Sequence, residues 1–266
     1  MEYINKLFNE DNLEVLKKLP DECVDLIYCD ILYNTGKKFK DYDDNLGTPQ
    51  EAIEWYRPRL IEMKRVLKNT GSIYLQCDFR LVHYLKVEMD NIFGMSNFRN
   101  NICWQYDRWS NVSNCFQRMH DDILFYAKSK NNTYHETRIP LDKPRKRNLV
   151  QCENGVKTSK KDSNGDIVYN VQIDKPINDV WTDINRVPNT GKDRVGYDTQ
   201  KPKDLLKRII LSSSNEGDLV ADFFCGSGTT CVVAKELGRN YLGCDINEKA
   251  ISLTKQRLNG ENNNVR

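Results

Sequence analysis

DLVADFFCGSGTT, residues 218–230, decides the fold. From Asp218 to Phe224 the residues are mostly apolar, a short bounded run that reads as a strand buried on both faces. Cys225-Gly226-Ser227-Gly228 follows, and a helix then runs through Leu237. Glycines between a strand and a helix let the backbone turn sharply and come close to a ligand at the helix N-terminus. Further on, a strand over Asn240 to Cys244 ends at Asp245, 19 residues after Gly226, and a closing helix reaches Leu258. Upstream, Leu205, Leu206, Ile209 and Ile210 put an apolar face on a helix over Lys203 to Leu211. Strands alternating with helices predict a doubly wound, mostly parallel α/β sheet of Rossmann-like form.

The turn lacks the third glycine of a dinucleotide fingerprint, Thr229-Thr230 standing there instead. With no pyrophosphate to seat on the helix N-terminus, a nucleoside cofactor fits better than a dinucleotide. S-adenosylmethionine meets that description. Asp245 is placed to accept hydrogen bonds from ribose hydroxyls. Gly226, Ser227, Gly228, Thr229 and Asp245 are therefore the candidate cofactor residues; an ordinary tight strand-to-helix turn is the alternative.

The N-terminal half repeats the alternation. A helical pattern over Asn12 to Leu19 leads through Pro20-Asp21 into an apolar strand, Val24 to Cys29, which ends at Asp30-Ile31-Leu32-Tyr33. The polar stretch Lys37 to Gly47 reads as a loop over the end of that strand, where α/β proteins place their ligands. Its few apolar residues predict mobility without a ligand and ordering with one. Ile53, Tyr56, Leu60, Met63 and Leu67 predict a helix over Pro49 to Asn69, followed by a strand over Ser72 to Cys77, a helix over Leu81 to Phe93 and a strand over Asp122 to Ala127. After Lys128 the texture changes to turn signals at Asn154-Gly155 and Asn164-Gly165 with no sustained period, so 128–190 reads as an inserted module, part hairpin and part loop.

Composition narrows the class. With 39% hydrophobic and 29% charged residues the 266-residue chain is a foldable, water-soluble protein, and no apolar run reaches the length of a membrane span. The N-terminus has no signal-peptide layout, so a cytoplasmic protein is expected. Nine cysteines without a C-x-x-C pair argue against a zinc or disulfide framework, and no metal site is expected. The net charge is only +2, but residues 1–54 carry 6 Lys/Arg against 13 Asp/Glu, and 128–161 carry 10 against 3. Such a basic segment is the kind of footprint that phosphate contacts leave, a solvated charged loop being the other reading.

Taken with the glycine turn, Asp30-Ile31-Leu32-Tyr33 resembles the reaction motif of the amino-directed DNA methyltransferases, Asp-Pro-Pro-Tyr or a variant of it. The resemblance extends through DILYNTG (30–36), GSIYLQCD (71–78), HDDILFYAKS (120–129), YDTQKP (197–202), DLVADFFCGSGTT (218–230) and GRNYLGCDIN (238–247). The order of parts, reaction motif, then variable segment, then cofactor loop, is similar to the beta group, which places target recognition in the variable segment. The resemblance thus implies an S-adenosylmethionine-dependent catalytic domain over 1–127 and 191–266 and a target-recognition region over 128–190. It implies that Lys201-Pro202, Phe224 and Asp11 border the cofactor, with Asp30 between cofactor and target. The departure is Ile31 and Leu32 in place of two prolines: Ile31 still offers a carbonyl, but proline's fixed φ is lost and neighbours must hold the loop.

The implied chemistry is positional. An exocyclic amino group is a poor nucleophile because its lone pair is delocalised into the base. The Asp30 carboxylate and the Ile31 carbonyl, accepting its hydrogens, would localise that pair. The base has to be flipped out of the duplex, and Tyr33 stacking on it would return about 1–3 kcal/mol. Asp at the first motif position points to adenine N6. A cytosine-N4 enzyme and a DNA-binding relative without activity are the alternatives, whereas carbon-5 chemistry needs a cysteine nucleophile, usually in Pro-Cys, which is absent. Trp104, Tyr106, Arg108 and Trp109 are candidates to line the base pocket or the DNA groove, with a core role expected for at least one tryptophan; His83, His120 and His135 read as structural. Double-stranded DNA is the expected partner, and the resemblance admits a cognate restriction endonuclease and a homodimer.

Overall fold

The computed structural model describes residues 2–39, 42–108, 112–188, 191, 194–197 and 199–260, apart from the Glu153 side chain. Lys40, Asp41, Trp109 and Asp198 lie outside the described residues. The chain divides into two compact units, Met1–His135 with Asp179–Arg266, and Glu136–Asn178.

The first unit opens with β1 (Lys6–Phe8), α1 (Asn12–Lys18), β2 (Val24–Asp30), β3 (Lys37–Lys38), β4 (Asp43–Asp44), α2 (Pro49–Val66), β5 (Leu67–Cys77), α3 (Val82–Phe93), β6 (Phe98–Gln105) and β7 (His120–Ala127). The second holds β8 (Arg138–Asn148), β9 (Val150–Glu153), β10 (Val156–Ser159) and β11 (Tyr169–Pro176). The first resumes with β12 (Val180–Trp181), α4 (Lys203–Ser213), β13 (Leu219–Asp222), α5 (Thr229–Glu236), β14 (Asn240–Cys244) and α6 (Glu248–Leu258).

One eight-stranded sheet, in the order β1-β14-β13-β2-β5-β7-β6-β12, organises the first unit. Neighbours are parallel except β7, which runs antiparallel to both β5 and β6. From β2 the chain proceeds through α2 to β5 on one side, and from β13 through α5 to β14 on the other. The carboxyl ends of β2 and β13 therefore flank the point where the winding reverses, the crevice in which open α/β sheets bind ligands.

Burial explains why these segments fold as they do. Leu26, Ile27, Tyr28 and Cys29 of β2 are buried, as a central parallel strand requires. Helix α2 starts at a capping box in which Thr48 and Glu51 each accept the other's backbone N–H, at 3.3 and 2.7 Å, and it buries Ile53, Tyr56, Leu60 and Met63. Each such side chain contributes about 1.5–3 kcal/mol. The helix stops at Val66 rather than Asn69, because Leu67 turns extended and pairs with Val24 in the sheet.

Two further segments differ from the sequence-based reading. FRNNICWQ, which has a weak apolar pattern, is strand β6, with only Ile102 and Trp104 buried; pairing with β7 holds it in place. The polar stretch after Tyr33 carries the β3–β4 hairpin. Its base is tied by buried Asp44, which accepts from the Asn34 and Thr35 N–H groups at 3.0 Å and from the Thr35 hydroxyl at 2.5 Å.

In the second unit, β8 and β11 pair from Arg138 to Pro140 and from Arg145 to Asn148, so Leu141 to Pro144 bulge out opposite Ile173. A bulge is where a strand tolerates Pro144, which has no N–H to donate. Lys128–His135 and the residues from Asp179 onward fold with the first unit. Among the described residues no helix is long and apolar enough to cross a membrane.

Candidate active site

At the reversal point lies a cavity of about 600 Å³, and the sequence candidates Asp11, Asp30, Ile31, Tyr33, Lys201, Phe224, Gly226, Ser227, Thr229 and Asp245 all line it. Gly228 does not. It sits behind the turn at φ +72°, where an added Cβ would fall 2.3 Å from Cγ2 of buried Thr254. Its role is close packing of the turn against α6.

The glycine turn is held from three sides. The Gly226 N–H donates to Asp245 Oδ2 at 2.8 Å, the Thr254 hydroxyl donates to the Gly226 carbonyl at 3.2 Å, and the Arg257 guanidinium donates to the Ser227 carbonyl. Asp245 Oδ1 accepts from the Asn247 N–H at 2.9 Å, so each carboxylate oxygen keeps a lone pair for a further donor. Asp11 is more committed: it caps α1 through the Leu13 N–H at 2.8 Å and accepts from Arg59 at 2.7 Å. Arg59 stacks 3.5 Å over the Trp55 ring, which with Phe224 gives this part of the cavity an aromatic wall.

The reaction corner is built from four strand ends and a loop. Asp30 Oδ2 is ion-paired with the Lys201 ammonium, and both side chains are under one-fifth exposed. Asp30 Oδ1 lies 2.8 Å from the Tyr33 hydroxyl, which lies 3.0 Å from Asp121 Oδ2. The corner that proline would stiffen is held by hydrogen bonds: the Ile31 N–H donates to the Gln76 carbonyl at 3.2 Å and the Tyr56 hydroxyl to the Leu32 carbonyl at 2.9 Å. The first of these bonds is one that proline at 31 could not make. Among the described residues nothing donates to the Ile31 carbonyl.

Among the described residues, charge in the cavity is one-sided, eight carboxylates against one lysine. Burial pushes Asp222 up to about 7, with the like charges of Asp30 and Asp245 adding to it. The Thr230 hydroxyl at 2.6 Å and the Phe224 N–H at 3.0 Å pull the other way. Burial also raises Asp30, opposed by Lys201, and raises Asp245, opposed by its two backbone N–H bonds. A cavity with these acids, an aromatic wall and a strand-end carboxylate suits a cationic nucleoside.

Sequence reading missed Asp222, Gln76 and Asp121 as site residues. The one signal for Asp121 was an acidic pair, Asp121-Asp122, heading an otherwise apolar strand. Trp104 proves to be core, its ring N–H donating to the Ile184 carbonyl at 2.8 Å, whereas the Tyr106 hydroxyl reaches Asp121 at 2.9 Å and Arg108 is exposed.

A family model described as DNA methylase, N6_N4_Mtase, matches residues 24–256. The Type II methyltransferase M.HpaI of Haemophilus parainfluenzae is 34% identical over 259 residues, 97% of this chain and 75% of that protein. The DNA adenine methyltransferase YhdJ of Escherichia coli (strain K12) is 34% identical over 258 residues, 95% of this chain and 82% of that protein. Among solved structures, the M1.HpyAVI–SAM complex is alike in fold, with a TM-score of 0.58 at 18% identity, covering 96% of this chain and 98% of that one. The family match spans most of the chain, and the chain belongs to the amino-directed (N6/N4) DNA methylases.

Proposed function

We propose that the protein transfers a methyl group from S-adenosylmethionine to the 6-amino group of an adenine flipped out of double-stranded DNA. The observation that carries this reading is the convergence of Asp30, with its Ile31 carbonyl, and the Gly226 turn on one cavity. When bound, S-adenosylmethionine supplies an electrophilic methyl on a sulfonium whose C–S electron pair stays on sulfur. The acidic lining suits that cation, Asp245 has lone pairs for ribose hydroxyls, and the Gly226-Ser227 backbone and Phe224 line the same wall. Asp30 and the Ile31 carbonyl are the acceptors for the amino hydrogens, and Lys201 favours the charged form of Asp30 against the burial that raises it. Adenine follows from Asp at the head of the motif and from the likeness to YhdJ, a DNA adenine methyltransferase.

Sequencing that reports modified bases, on DNA from a host expressing the protein, tests this directly. N6-methyladenine at one recurring sequence is expected. N4-methylcytosine would transfer the reading to the other amino target, and unmodified DNA would leave a binding protein. A Type II arrangement with a restriction endonuclease and a cytoplasmic location go with the reading; dimerisation is checked by sedimentation.

The Asp222 carboxyl gives the cofactor site a pH dependence with a definite sign. Its proton is retained up to about pH 7, and below that the cation meets a neutral acid. Affinity for S-adenosylmethionine should rise as pH climbs through 7, by about threefold to tenfold between about pH 6 and pH 8, a tenfold change being about 1.4 kcal/mol. Calorimetry at several pH values checks it. A profile of the same steepness in Asp222→Asn would assign the effect elsewhere.

We assign target recognition to 128–190, within which the unit Glu136–Asn178 carries the exposed basic run Lys143, Arg145, Lys146 and Arg147 on β8. Replacing all four by glutamine should flatten the dependence of log K for duplex DNA on log salt by up to roughly 3.6, about 0.9 for each phosphate no longer neutralised. Cofactor affinity should not change. An unaltered slope would remove β8 from the DNA interface.

A further inference from the structure

Behind the reaction corner stands a second carboxylate that the mechanism above does not use. Asp121, at the start of β7 and 6% exposed, accepts from the Tyr106 hydroxyl on Oδ1 at 2.9 Å and from Gln76 Nε2 on Oδ2 at 2.9 Å. Gln76 is itself oriented by the Tyr28 hydroxyl, which donates to its Oε1 at 2.7 Å. The remaining contact of Asp121 Oδ2 is the Tyr33 hydroxyl, which also bonds Asp30.

A phenol has one hydrogen. It cannot be given fully to Asp30 and to Asp121 at once, so two carboxylates share one donor across 2.8 and 3.0 Å. Their surroundings differ. Asp30 is paired with the Lys201 ammonium, which favours its charged form, whereas the side chains that donate to Asp121 are neutral and, among the described residues, no cation pairs with it. A proton taken up by Asp30 costs the ion pair; the same proton on Asp121 leaves that pair intact.

We propose that Asp121 is the proton acceptor of this site, reached from Asp30 through the Tyr33 hydroxyl. The inference rests on the methyl-transfer reading, because that reaction must release one proton. As the amino nitrogen gains its bond to carbon, one of its N–H bonds breaks, the pair stays on nitrogen and the proton goes to Asp30. The Asp30 proton then passes to the Tyr33 oxygen while the Tyr33 hydrogen passes to Asp121 Oδ2. Tyrosine ends as it began, Asp30 returns to Lys201 as a carboxylate, and Asp121 carries the proton. Burial holds the Tyr33 hydroxyl well above its ordinary range, with both aspartates adding to it, so Tyr33 passes a hydrogen on without lingering as a phenolate. Asp121 acts through Tyr33 and touches neither base nor cofactor.

The test is single-turnover transfer of tritiated methyl from S-adenosylmethionine to a duplex carrying the sequence methylated in the expressing host. Affinities for cofactor and duplex and the thermal midpoint are measured alongside. Asp121→Asn keeps the shape but cannot take the proton, and Tyr33→Phe keeps the ring but breaks the path. Each should slow the single-turnover step by about 100-fold, the lower end of what a positioned proton transfer supplies. Both affinities should stay within about threefold, so that the loss falls on the rate and not on binding. In series the two changes do not add, so the double variant should be no slower than the slower single one. Tyr33→Phe within about twofold of the parent rate overturns the proposal even if Asp121→Asn fails to fold. A rate that falls only in step with affinity or thermal midpoint also overturns it, by making the cluster structural. A parent protein that transfers no methyl group fails the proposed function first, and is told apart by the parent measurement alone.

Discussion

Asp30→Asn should lower single-turnover methyl transfer by about 10³-fold, with cofactor affinity changed by no more than a fewfold. A preorganised group aimed at charge developing in a transition state accounts for about 10²–10³ in rate when removed, and this one is also the first proton acceptor. Asparagine retains one acceptor oxygen in nearly the same place but supplies no negative charge, so the amino lone pair is localised less and the released proton has nowhere to go. It also leaves the Lys201 ammonium, 13% exposed, without its partner. For that reason Lys201→Met paired with Asp30→Asn is the control: the double variant should regain thermal stability but not activity. Tritiated transfer and calorimetric cofactor binding decide the matter. Asp30→Asn with a tenth or more of parental activity would remove the carboxylate from the chemistry.

Gly228→Ala should be the most destabilising single methyl group that can be added to the cofactor turn. Two separate costs fall together. At φ +72° an L residue is strained by about 1–2 kcal/mol, and its Cβ would sit 2.3 Å from Cγ2 and 2.4 Å from Oγ1 of Thr254. Thr254 is wholly buried and its hydroxyl is held by the Gly226 carbonyl, so it cannot yield without loosening the turn, and overpacking of this kind costs about 1–3 kcal/mol more. A loss of about 2–5 kcal/mol corresponds to a fall of roughly 5–15 °C in thermal midpoint for a protein of this size. Gly36→Ala supplies the comparison, at φ +69° with nothing within 4 Å of the added Cβ, where only the strain remains. Equal midpoints for the two variants would refute the packing argument. Cofactor affinity should fall with Gly228→Ala because the turn bearing the Gly226 N–H moves.

The catalytic sheet was legible because its segments carry strong local signals. Val24 to Cys29 is apolar throughout save for Asp25, Leu205, Leu206, Ile209 and Ile210 repeat at helical spacing, and Gly226 and Gly228 mark the turn; all of these behave as read. Strand β6 was not legible, since FRNNICWQ buries only Ile102 and Trp104 and is a strand only because β7 lies beside it. The β9–β10 hairpin was marked by Asn154-Gly155, which forms its turn, but strands β8 and β11 were hidden for a related reason: Val171 and Ile173 are exposed, so no alternation marks a buried face. The replaced prolines show the same division. Their absence was plain from Ile31 and Leu32, yet only the folded chain reveals that a backbone bond to Gln76 and the Tyr56 hydroxyl hold the corner instead.

What the sequence by itself determined, then, is the alternation of the central strands and helices, the glycine turn with its distant Asp245, and the Asp30–Tyr33 corner, because each is written in residues that are neighbours along the chain or recur at a backbone period. What only the tertiary structure decided is which charges meet. Lys201 is 171 positions from Asp30, and Asp121 is 88 from Tyr33, yet each pair is in hydrogen-bond contact. No local pattern encodes such a pairing; it follows from the winding reversing between β2 and β13 and from β7 lying beside β5, which bring the strand ends together and remove the water that would otherwise have solvated those charges apart.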